Sequence, residues 1–457
     1  MSPASSSLRS WVRPEMRRLT TLSAPVAAAQ LASMGLGFVD TVMVGRVGVD
    51  ALAAASLANV WIFATLMFAN GVIFGIDPLV SQGHGAGDGR RVALALQRGT
   101  VLAALLSLPV IGAWLFTEDI LRLMGQEPAL AAAAQRYVLV QIPSVPFFLG
   151  FSALRQYLQG REMVRPALWV VLAANVLNAL FNWVLIFGKL GFPALGLVGS
   201  GIATALTRAF MGLALLYLVR VFSLQRGAWI PWSREAFDPQ GLGAVLAIGL
   251  PVALQVSLEM WAFGGSTLIA GKLGATALAA HTVAMNLASI TFMVPLGIAQ
   301  GAGVRVGNLL GAGHPLQAQR TAFVAMVLGA GVMSLSACTF VTFRHGLPHI
   351  YTPDPGVTAL AARILPIAAA FQIFDGTQAV ASGILRGMGR TRPAAVFNFV
   401  GYWILALPLG AGLALRTPAG LAGLWWGLCL GLAVVASCLF VWVWRRGPAS
   451  WHPVASP

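Results

Sequence analysis

Long apolar runs alternate with short charged or Gly- and Pro-rich breaks along the whole chain. A helix crosses the hydrocarbon core of a bilayer with about 20 apolar residues. Twelve runs are of this kind, with approximate limits 19–45, 51–76, 91–117, 129–153, 164–188, 196–222, 240–270, 276–301, 317–343, 356–384, 393–415 and 420–444. They lack the alternation of short barrel strands. The pattern therefore predicts an all-α integral membrane protein with twelve transmembrane helices.

The second half of the chain repeats the first. Pro25 and Gly45 return as Pro251 and Gly271, a shift of 226 positions. At the same offset VGVDALAAASLANV is echoed by LGATALAAHTVAMN, and QGREMVRP is echoed by RGMGRTRP at offset 227. Similarity at a nearly fixed offset indicates duplication. Six spans in each half predict two six-helix lobes related by a pseudo-twofold axis along the membrane normal.

The longest polar break, rich in Arg, Trp and Pro, divides the two halves. The predicted organisation is a cytoplasmic lead-in over 1–18, a first lobe over 19–222, a cytoplasmic linker over 223–240, a second lobe over 241–446 and a cytoplasmic tail over 447–457.

Composition supports a membrane protein and gives it an orientation. Of 457 residues, 58% are hydrophobic and 9% are charged, whereas soluble domains carry about 25% charged residues. The net charge of +15 has no polar domain that could present it to nucleic acid. If the N-terminus is inside, 20 Lys and Arg residues face the cytoplasm, eight face the other side and Arg208 lies within a span. The positive-inside rule then predicts a multi-pass protein of the bacterial inner membrane with both termini cytoplasmic.

Three carboxylates fall inside the apolar runs: Asp40 in span 1, Glu259 in span 7 and Asp375 in span 10. A charge at this depth costs on the order of 3 kcal/mol on insertion scales. A structural pair with an arginine or a helix end is one explanation, but no Arg or Lys lies within a turn or two of these acids in sequence. A buried carboxylate without a cationic partner can take up a proton or bind a cation. That property is the one an ion-coupling site requires.

Polar amides accompany these acids. Span 5 carries Asn175, Asn178 and Asn182, the last two on one helical face, and Gln255 precedes Glu259 by one turn. Amides of this kind can join helices. Alternatively, the span 5 amides face Asp40 and tune its affinity for a proton or ion.

Other residues are candidates for a substrate cleft. Phe38, Met260, Trp261 and Phe371 could stack on or wrap lipophilic cations, or could pack against lipid and neighbouring helices. Asp77, which follows span 2, is a further cleft candidate, and its alternative interpretation is a solvated cytoplasmic helix end.

The sequence offers no support for an enzyme. It contains no zinc-protease motif, nucleophile elbow or paired aspartates, and its Gly-rich turns lack the lysine of a phosphate-binding loop. We expect no catalytic residues, no cofactor and no metal beyond a possible Na+ at Glu259 and Asp375. Because no ATP-binding domain is present, transport would depend on an ion gradient.

Several stretches together resemble the multidrug and toxic compound extrusion (MATE) family over nearly the whole chain. They are VDTVMVGRVGVDALAA, LVSQGHGAG, LNALFNWVLIFG, GLPVALQVSLEMWAF, IAQGAGVRVGNLLGAG and FQIFDGTQAVASGILRGMGRTRPA. The Glu of span 7 and the Asp of span 10 look like the NorM-type branch.

The resemblance implies secondary active antiport: export of organic, often cationic compounds (drugs, dyes and toxins) in exchange for Na+ or H+, by a monomer surrounded by lipid. It assigns Asp40 to the acid of the first lobe, with Asn178 and Asn182 as its partners. It assigns Glu259 and Asp375 to cation binding in the second lobe. Some relatives have a tyrosine one turn before the span 10 acid, where this chain has Phe371.

The alternative function is a flippase for a lipid-linked precursor with a related fold. Such a protein should carry arginines inside several spans, whereas here Arg208 is the one candidate at mid-span. A membrane-bound prenyl transferase would need the paired aspartates that the sequence lacks.

Overall fold

The computed structural model describes residues 3–451, with side chains from Trp11 onward. The ends of the predicted lead-in and tail, residues 1–2 and 452–457, lie outside the described residues. The α-helices are α1 (Pro3–Gly45), α2 (Val49–Ile73), α3 (Asp77–Gly85), α4 (Gly89–Leu115), α5 (Thr117–Leu123), α6 (Pro128–Leu139), α7 (Val145–Gly160), α8 (Arg165–Phe187), α9 (Gly196–Val221), α10 (Pro239–Lys272), α11 (Ala275–Gly311), α12 (Pro315–Thr342), α13 (Pro355–Gly387), α14 (Arg392–Asn398), α15 (Leu407–Arg416) and α16 (Gly420–Arg446). No β-strand occurs between residues 3 and 451.

The predicted twelve spans agree with this architecture. Eleven helical segments in the described chain are long and apolar enough to cross a membrane. A further candidate is the pair formed by α6 and the segment Ile142–Gly160, which are bent by 41°. Pro143 lies at the bend, in a short 3-10 turn, and has no amide hydrogen with which to continue the helix. Counted as one broken span, the pair brings the total to twelve.

Some helices extend well past the predicted apolar runs. The helix of the first span begins at Pro3 instead of residue 19, and α11 continues to Gly311 instead of residue 301. A helix satisfies its own backbone hydrogen bonds. It therefore does not have to end where hydrophobic residues give way to polar ones.

The chain forms two compact units. The C-terminal unit comprises residues 1–28, 85–87 and 254–457, and the N-terminal unit comprises residues 29–84 and 88–253. The lead helix of each sequence repeat, α1 and α10, thus contributes to both units.

In the C-terminal unit, the side chains of Glu15, Arg305 and Thr321 hold the beginning of α1 in place, and we call this group the clasp. Glu15 forms an ion pair with Arg305 of α11 at 2.9 Å, and the side chains are 15% and 12% exposed. Glu15 also accepts a hydrogen bond from the hydroxyl of Thr321 at 2.9 Å. Next to the clasp, Gly301 permits close approach, since a Cβ there would lie 2.4 Å from the Ser23 hydroxyl.

The C-terminal unit also contains a tight contact between α11 and α13. A Cβ on Gly383 would lie 2.2 Å from the carbonyl oxygen of Ala299, and one on Gly387 would lie 2.1 Å from that of Gly303. Glycines therefore set the distance between α13, which carries Asp375, and its neighbour.

In the N-terminal unit, glycines bring the second span close to the first part of α10. A Cβ on Gly71 would lie 2.5 Å from Cα of Ala253, and one on Gly75 would lie 2.3 Å from the carbonyl oxygen of Val245. Arg161 donates to the carbonyl of Arg226 at 2.9 Å, which ties the polar segment after α9 to the same unit.

Candidate functional site

Asp40 lies near the end of α1 in the N-terminal unit and is 8% exposed. Its Oδ1 accepts a hydrogen bond from Nδ2 of Asn182 on α8 at 2.6 Å. Its Oδ2 accepts one from the hydroxyl of Thr204 on α9 at 3.0 Å. Within the described chain, no Lys or Arg forms an ion pair with this carboxylate. Asp40 is thus held by neutral donors.

The three amides of α8 lie at two different levels along the helix. Nδ2 of Asn182 also donates to Oδ1 of Asn178 at 3.2 Å, and both side chains are buried. Asn175 is further from the carboxylate along the helix and donates to the main-chain carbonyls of Ala32 and Val171 at 2.9 Å. The structure therefore brings Asn182 and Asn178 to Asp40, whereas Asn175 joins α8 to α1.

Thr204 is a partner of Asp40 that sequence reasoning missed. The available signal was a hydroxyl and a charge one turn apart, Thr204 and Arg208, near the middle of a mainly apolar span. Arg208 donates to Oε1 of Gln141 at 3.1 Å, and its guanidinium lies 5.6 Å from the ring centroid of Phe148. It acts on Asp40 electrostatically without a direct ion pair.

Glu259 and Asp375 come together in the C-terminal unit. Asp375 is 6% exposed, and its buried Oδ1 has no hydrogen-bond partner in the described part of the chain. Glu259 accepts a hydrogen bond from Nε2 of Gln378 at 3.5 Å. The two carboxylates interact electrostatically. In the part of the chain that is described, no Lys or Arg forms an ion pair with either.

A third helix supplies polar groups to this cluster. Gln378 donates to Oδ1 of Asn398 at 2.9 Å, and Asn398 donates to the carbonyl of Ala394 at 2.8 Å. One turn later lies Tyr402, which is fully buried. Sequence reasoning missed these three residues, although Asn398 and Tyr402 are spaced for one face of a helix.

Phe371, a predicted cleft residue, is buried among aromatic rings and is 2% exposed. Its ring centroid lies 6.1 Å from that of Phe263 and 5.8 Å from that of Trp425, both edge to face. Phe263 in turn lies 5.6 Å from the ring of Tyr402. The aromatic cluster thus packs beside the acids in the interior of the C-terminal unit.

The other predicted cleft residues differ in exposure. Phe38 is 71% exposed and Trp261 is 53% exposed, on α1 and α10 respectively. Met260 is half-buried and Gln255 is buried. No described hydrogen bond joins Gln255 to Glu259.

The interpretation of Asp77 as a solvated helix end is wrong. Asp77 begins α3 and is buried, with 9% exposure. Its Oδ2 accepts a hydrogen bond from Nε2 of Gln156 at 3.5 Å. The helical span continues past this position to Gly85, so Asp77 does not end a helix in water.

The arrangement is suited to binding a proton or a small cation. Each unit holds carboxylate and amide oxygens within apolar helices, and buried carboxylates of this kind gain from a proton or cation. The described residues contain no cluster of three or more His, Cys, Asp or Glu side chains that could hold a metal ion.

A duplicated helical membrane protein with carboxylates inside its apolar helices and without ion-pair partners among the described residues has the architecture of a transporter. The MatE family model matches residues 25–184 and again residues 251–411, two segments that begin 226 positions apart. The chain belongs to this family, is of the NorM type and is a transporter, not an enzyme. The resemblance inferred from sequence is confirmed, and so is the repeat offset.

Relatives align along nearly the full chain. The multidrug resistance protein NorM of Burkholderia vietnamiensis is 38% identical over 442 residues, covering 95% of this chain and 94% of the relative. NorM of Vibrio vulnificus is 35% identical over 447 residues, covering 95% and 97%.

Solved structures share the fold. The eukaryotic MATE transporter AtDTX14 has a TM-score of 0.87 at 24% identity, over 96% of this chain and 98% of that one. An outward-facing multidrug resistance MATE transporter has a TM-score of 0.85 at 18% identity, over 95% and 96%.

Proposed function

We propose that the protein exports organic compounds, lipophilic cations among them, across the bacterial inner membrane in exchange for H+ or Na+. The observation that carries this proposal is the burial of Asp40 and Asp375, with Glu259 half-buried beside Asp375, and none of the three has an ion-pair partner among the described residues. The relatives named multidrug resistance protein support the export of drugs. The proposal includes a monomer in lipid with both termini in the cytoplasm.

Asp40 is the coupling group of the N-terminal unit. In its charged form it accepts hydrogen bonds from Asn182 and Thr204. In its neutral form the carboxyl becomes a donor and needs an acceptor. Oδ1 of Asn182 is buried and has no partner among residues whose side chains are described, so a rotation of this amide would offer the carboxyl an acceptor. Asn182 can therefore serve both protonation states, with Asn178 accepting from it.

Glu259 and Asp375 are the coupling groups of the C-terminal unit. Two interacting carboxylates within apolar helices resist carrying two negative charges, and one proton or cation relieves that repulsion. Binding of the ion would stabilise one conformation of the transporter over another, which is how a ligand shifts a conformational equilibrium. A cationic substrate would compete with the ion for the same negative charge.

Side chains for the substrate are available in each unit. Phe38 and Trp261 expose aromatic faces, and Met260 adds a flexible thioether. Asp77 supplies a buried negative charge, and Phe371 supports the acids from within the aromatic cluster.

Ion-driven export from proteoliposomes tests the proposal. Efflux of a fluorescent organic cation is measured under a pH gradient and, separately, under a Na+ gradient. The ion-driven rate should fall about tenfold or more in each of the variants Asp40→Asn, Glu259→Gln and Asp375→Asn. A fall of this size corresponds to a typical coupling free energy between two sites. Asp50→Asn is the matched control, because Asp50 is an exposed acid in the first turn of α2. Normal transport by all three variants would refute the proposed coupling groups.

A further inference from the structure

Three side chains on the helices that carry the Glu259–Asp375 site each hold a buried oxygen atom with no hydrogen-bond partner among the described residues: Oδ1 of Asp375, Oε1 of Gln378 and Oη of Tyr402. These side chains are 6%, 1% and 0% exposed. Buried polar atoms are almost always satisfied, and exceptions call for an explanation such as an absent ion. All three can act as lone-pair donors to a cation.

Tyr402 lies in an unusual piece of backbone. The eleventh span is a π-helix over Phe399–Ala406, between α14 and α15. Such segments are rare and occur mostly at functional sites, because the wider turn changes the direction in which side chains point. Here the indole of Trp403 donates to the carbonyl of Leu258 at 3.1 Å, which joins the π-helix to α10 one residue before Glu259.

The π-helix packs closely against α16. A Cβ on Gly401 would lie 1.9 Å from a methyl group of Val435, and one on Gly431 would lie 2.6 Å from the carbonyl oxygen of Gly401. Tyr402, the residue after Gly401, is fully buried at this close approach, and its ring packs against that of Phe263.

Neighbouring amides connect Tyr402 to the acids. Asn398, one turn before Tyr402, accepts a hydrogen bond from Gln378, and the same amide group of Gln378 donates to Glu259. Gln378 follows Asp375 by three residues on α13. Both carboxylates act electrostatically on the Tyr402 phenol. The donors of Gln378 are thus occupied, whereas its oxygen is left for another ligand.

We propose that Tyr402 supplies a phenolic oxygen ligand for Na+ at the Glu259–Asp375 site and thereby determines whether the site accepts Na+ in addition to H+. The inference rests on the proposed ion coupling at these acids. Phe371 carries no oxygen, so α13 provides no phenol at that position. The π-helix provides one from another span, and Oε1 of Gln378 completes a set of four oxygen-bearing side chains.

The chemistry of the two ions explains why neutral oxygens set this selectivity. A proton binds a single carboxylate and needs no further ligands. Hard metal cations need several oxygen ligands to replace their water. Removing a neutral oxygen therefore weakens Na+ binding and leaves protonation of the carboxylates available.

The test compares Tyr402→Phe with the unaltered full-length protein in proteoliposomes. The half-saturating Na+ concentration for export should rise about tenfold or more, as is typical when a metal site loses one interaction. Export driven by a pH gradient should stay within about twofold of the original rate, because both carboxylates remain. Tyr157→Phe is the matched control: this tyrosine is also fully buried, but its hydroxyl donates to the carbonyl of Ala228 in the N-terminal unit.

A second readout does not depend on transport. NaCl, compared with choline chloride, should raise the thermal unfolding midpoint of the unaltered protein and of Tyr157→Phe, since a ligand of the folded state stabilises it. The same shift should be clearly smaller in Tyr402→Phe, because a site with a roughly tenfold weaker affinity stabilises the folded state less at the same Na+ concentration.

Three results would overturn the inference. The first is a Tyr402→Phe protein whose half-saturating Na+ concentration is unchanged. The second is equal loss of Na+-driven and H+-driven export in a folded variant, which would indicate a structural role. The third is an unaltered protein whose export is driven by a pH gradient but not by a Na+ gradient. That result would remove the Na+ site and would still agree with the proposed antiport. Failure of the proposed function itself is distinguished by normal transport in Glu259→Gln and Asp375→Asn.

Discussion

At the scale of single residues, Asn182 is the side chain on which the Asp40 site depends most. Both hydrogens of its amide are used, one by Asp40 and one by Asn178, while its buried oxygen has no partner within the described chain. Removing a donor from a buried charged acceptor costs about 1.5–3 kcal/mol.

Replacing Asn182 with Ala should therefore reduce ion-driven export about tenfold or more, by the free energy of that lost hydrogen bond. Asn175→Ala is the comparison, because Asn175 is on the same helix but bonds only main-chain carbonyls. Its effect on export should be several times smaller. Initial rates in proteoliposomes, normalised to the amount of inserted protein, measure both. Equal losses in the two variants would contradict a special role for Asn182.

The sequence indicated which side of α8 faces α1, but not which amides on that side lie at the level of Asp40. Asn175 and Asn182 are seven residues apart, on nearly the same side of the helix but separated by about 10 Å along it. They contact α1 at Ala32 and Asp40, which are eight residues apart. Periodicity identifies which residues share a face. The pairing of Thr204 with Asp40, or of Tyr402 with the second pair of acids, depends on helices distant in sequence and on a π-helix that no local pattern indicated.

At the scale of elements, the clasp formed by Glu15, Arg305 and Thr321 determines how the start of α1 is held in the C-terminal unit. The ion pair is mostly buried and is reinforced by a hydroxyl donor. Partly buried, hydrogen-bonded pairs contribute far more than exposed ones.

Glu15→Gln should consequently lower the free energy of unfolding by about 2 kcal/mol, the value of a hydrogen bond to a charged group. Glu118→Gln is the control, since Glu118 pairs with Arg122 one turn away and both are more exposed, at 30% and 49%. Its cost should be at most about 1 kcal/mol. Thermal unfolding of the purified protein in one detergent measures both variants. If Glu118→Gln lowered the free energy of unfolding as much as Glu15→Gln does, the clasp would contribute no more than an exposed ion pair.

At the scale of the whole molecule, the number of membrane crossings depends on the bent pair of α6 and Ile142–Gly160. As one broken span it gives an even total, and both termini then lie on the same side. As a re-entrant segment it would leave eleven crossings and place the termini on opposite sides. The excess of arginine on the side of the N-terminus, continued after α16 by Arg445 and Arg446, favours the even number.

Thiol labelling of intact cells distinguishes these topologies. The three native cysteines, Cys338, Cys429 and Cys438, are first replaced by Ala. Single cysteines are then introduced by Glu127→Cys, before the bent pair, or by Arg165→Cys, after it; both positions are exposed. A membrane-impermeant maleimide should label the cysteine at 127 and should label the one at 165 only after the cells are lysed. A pair that crosses the membrane must place its flanking breaks on opposite sides, so labelling of both sites in intact cells would rule out twelve crossings.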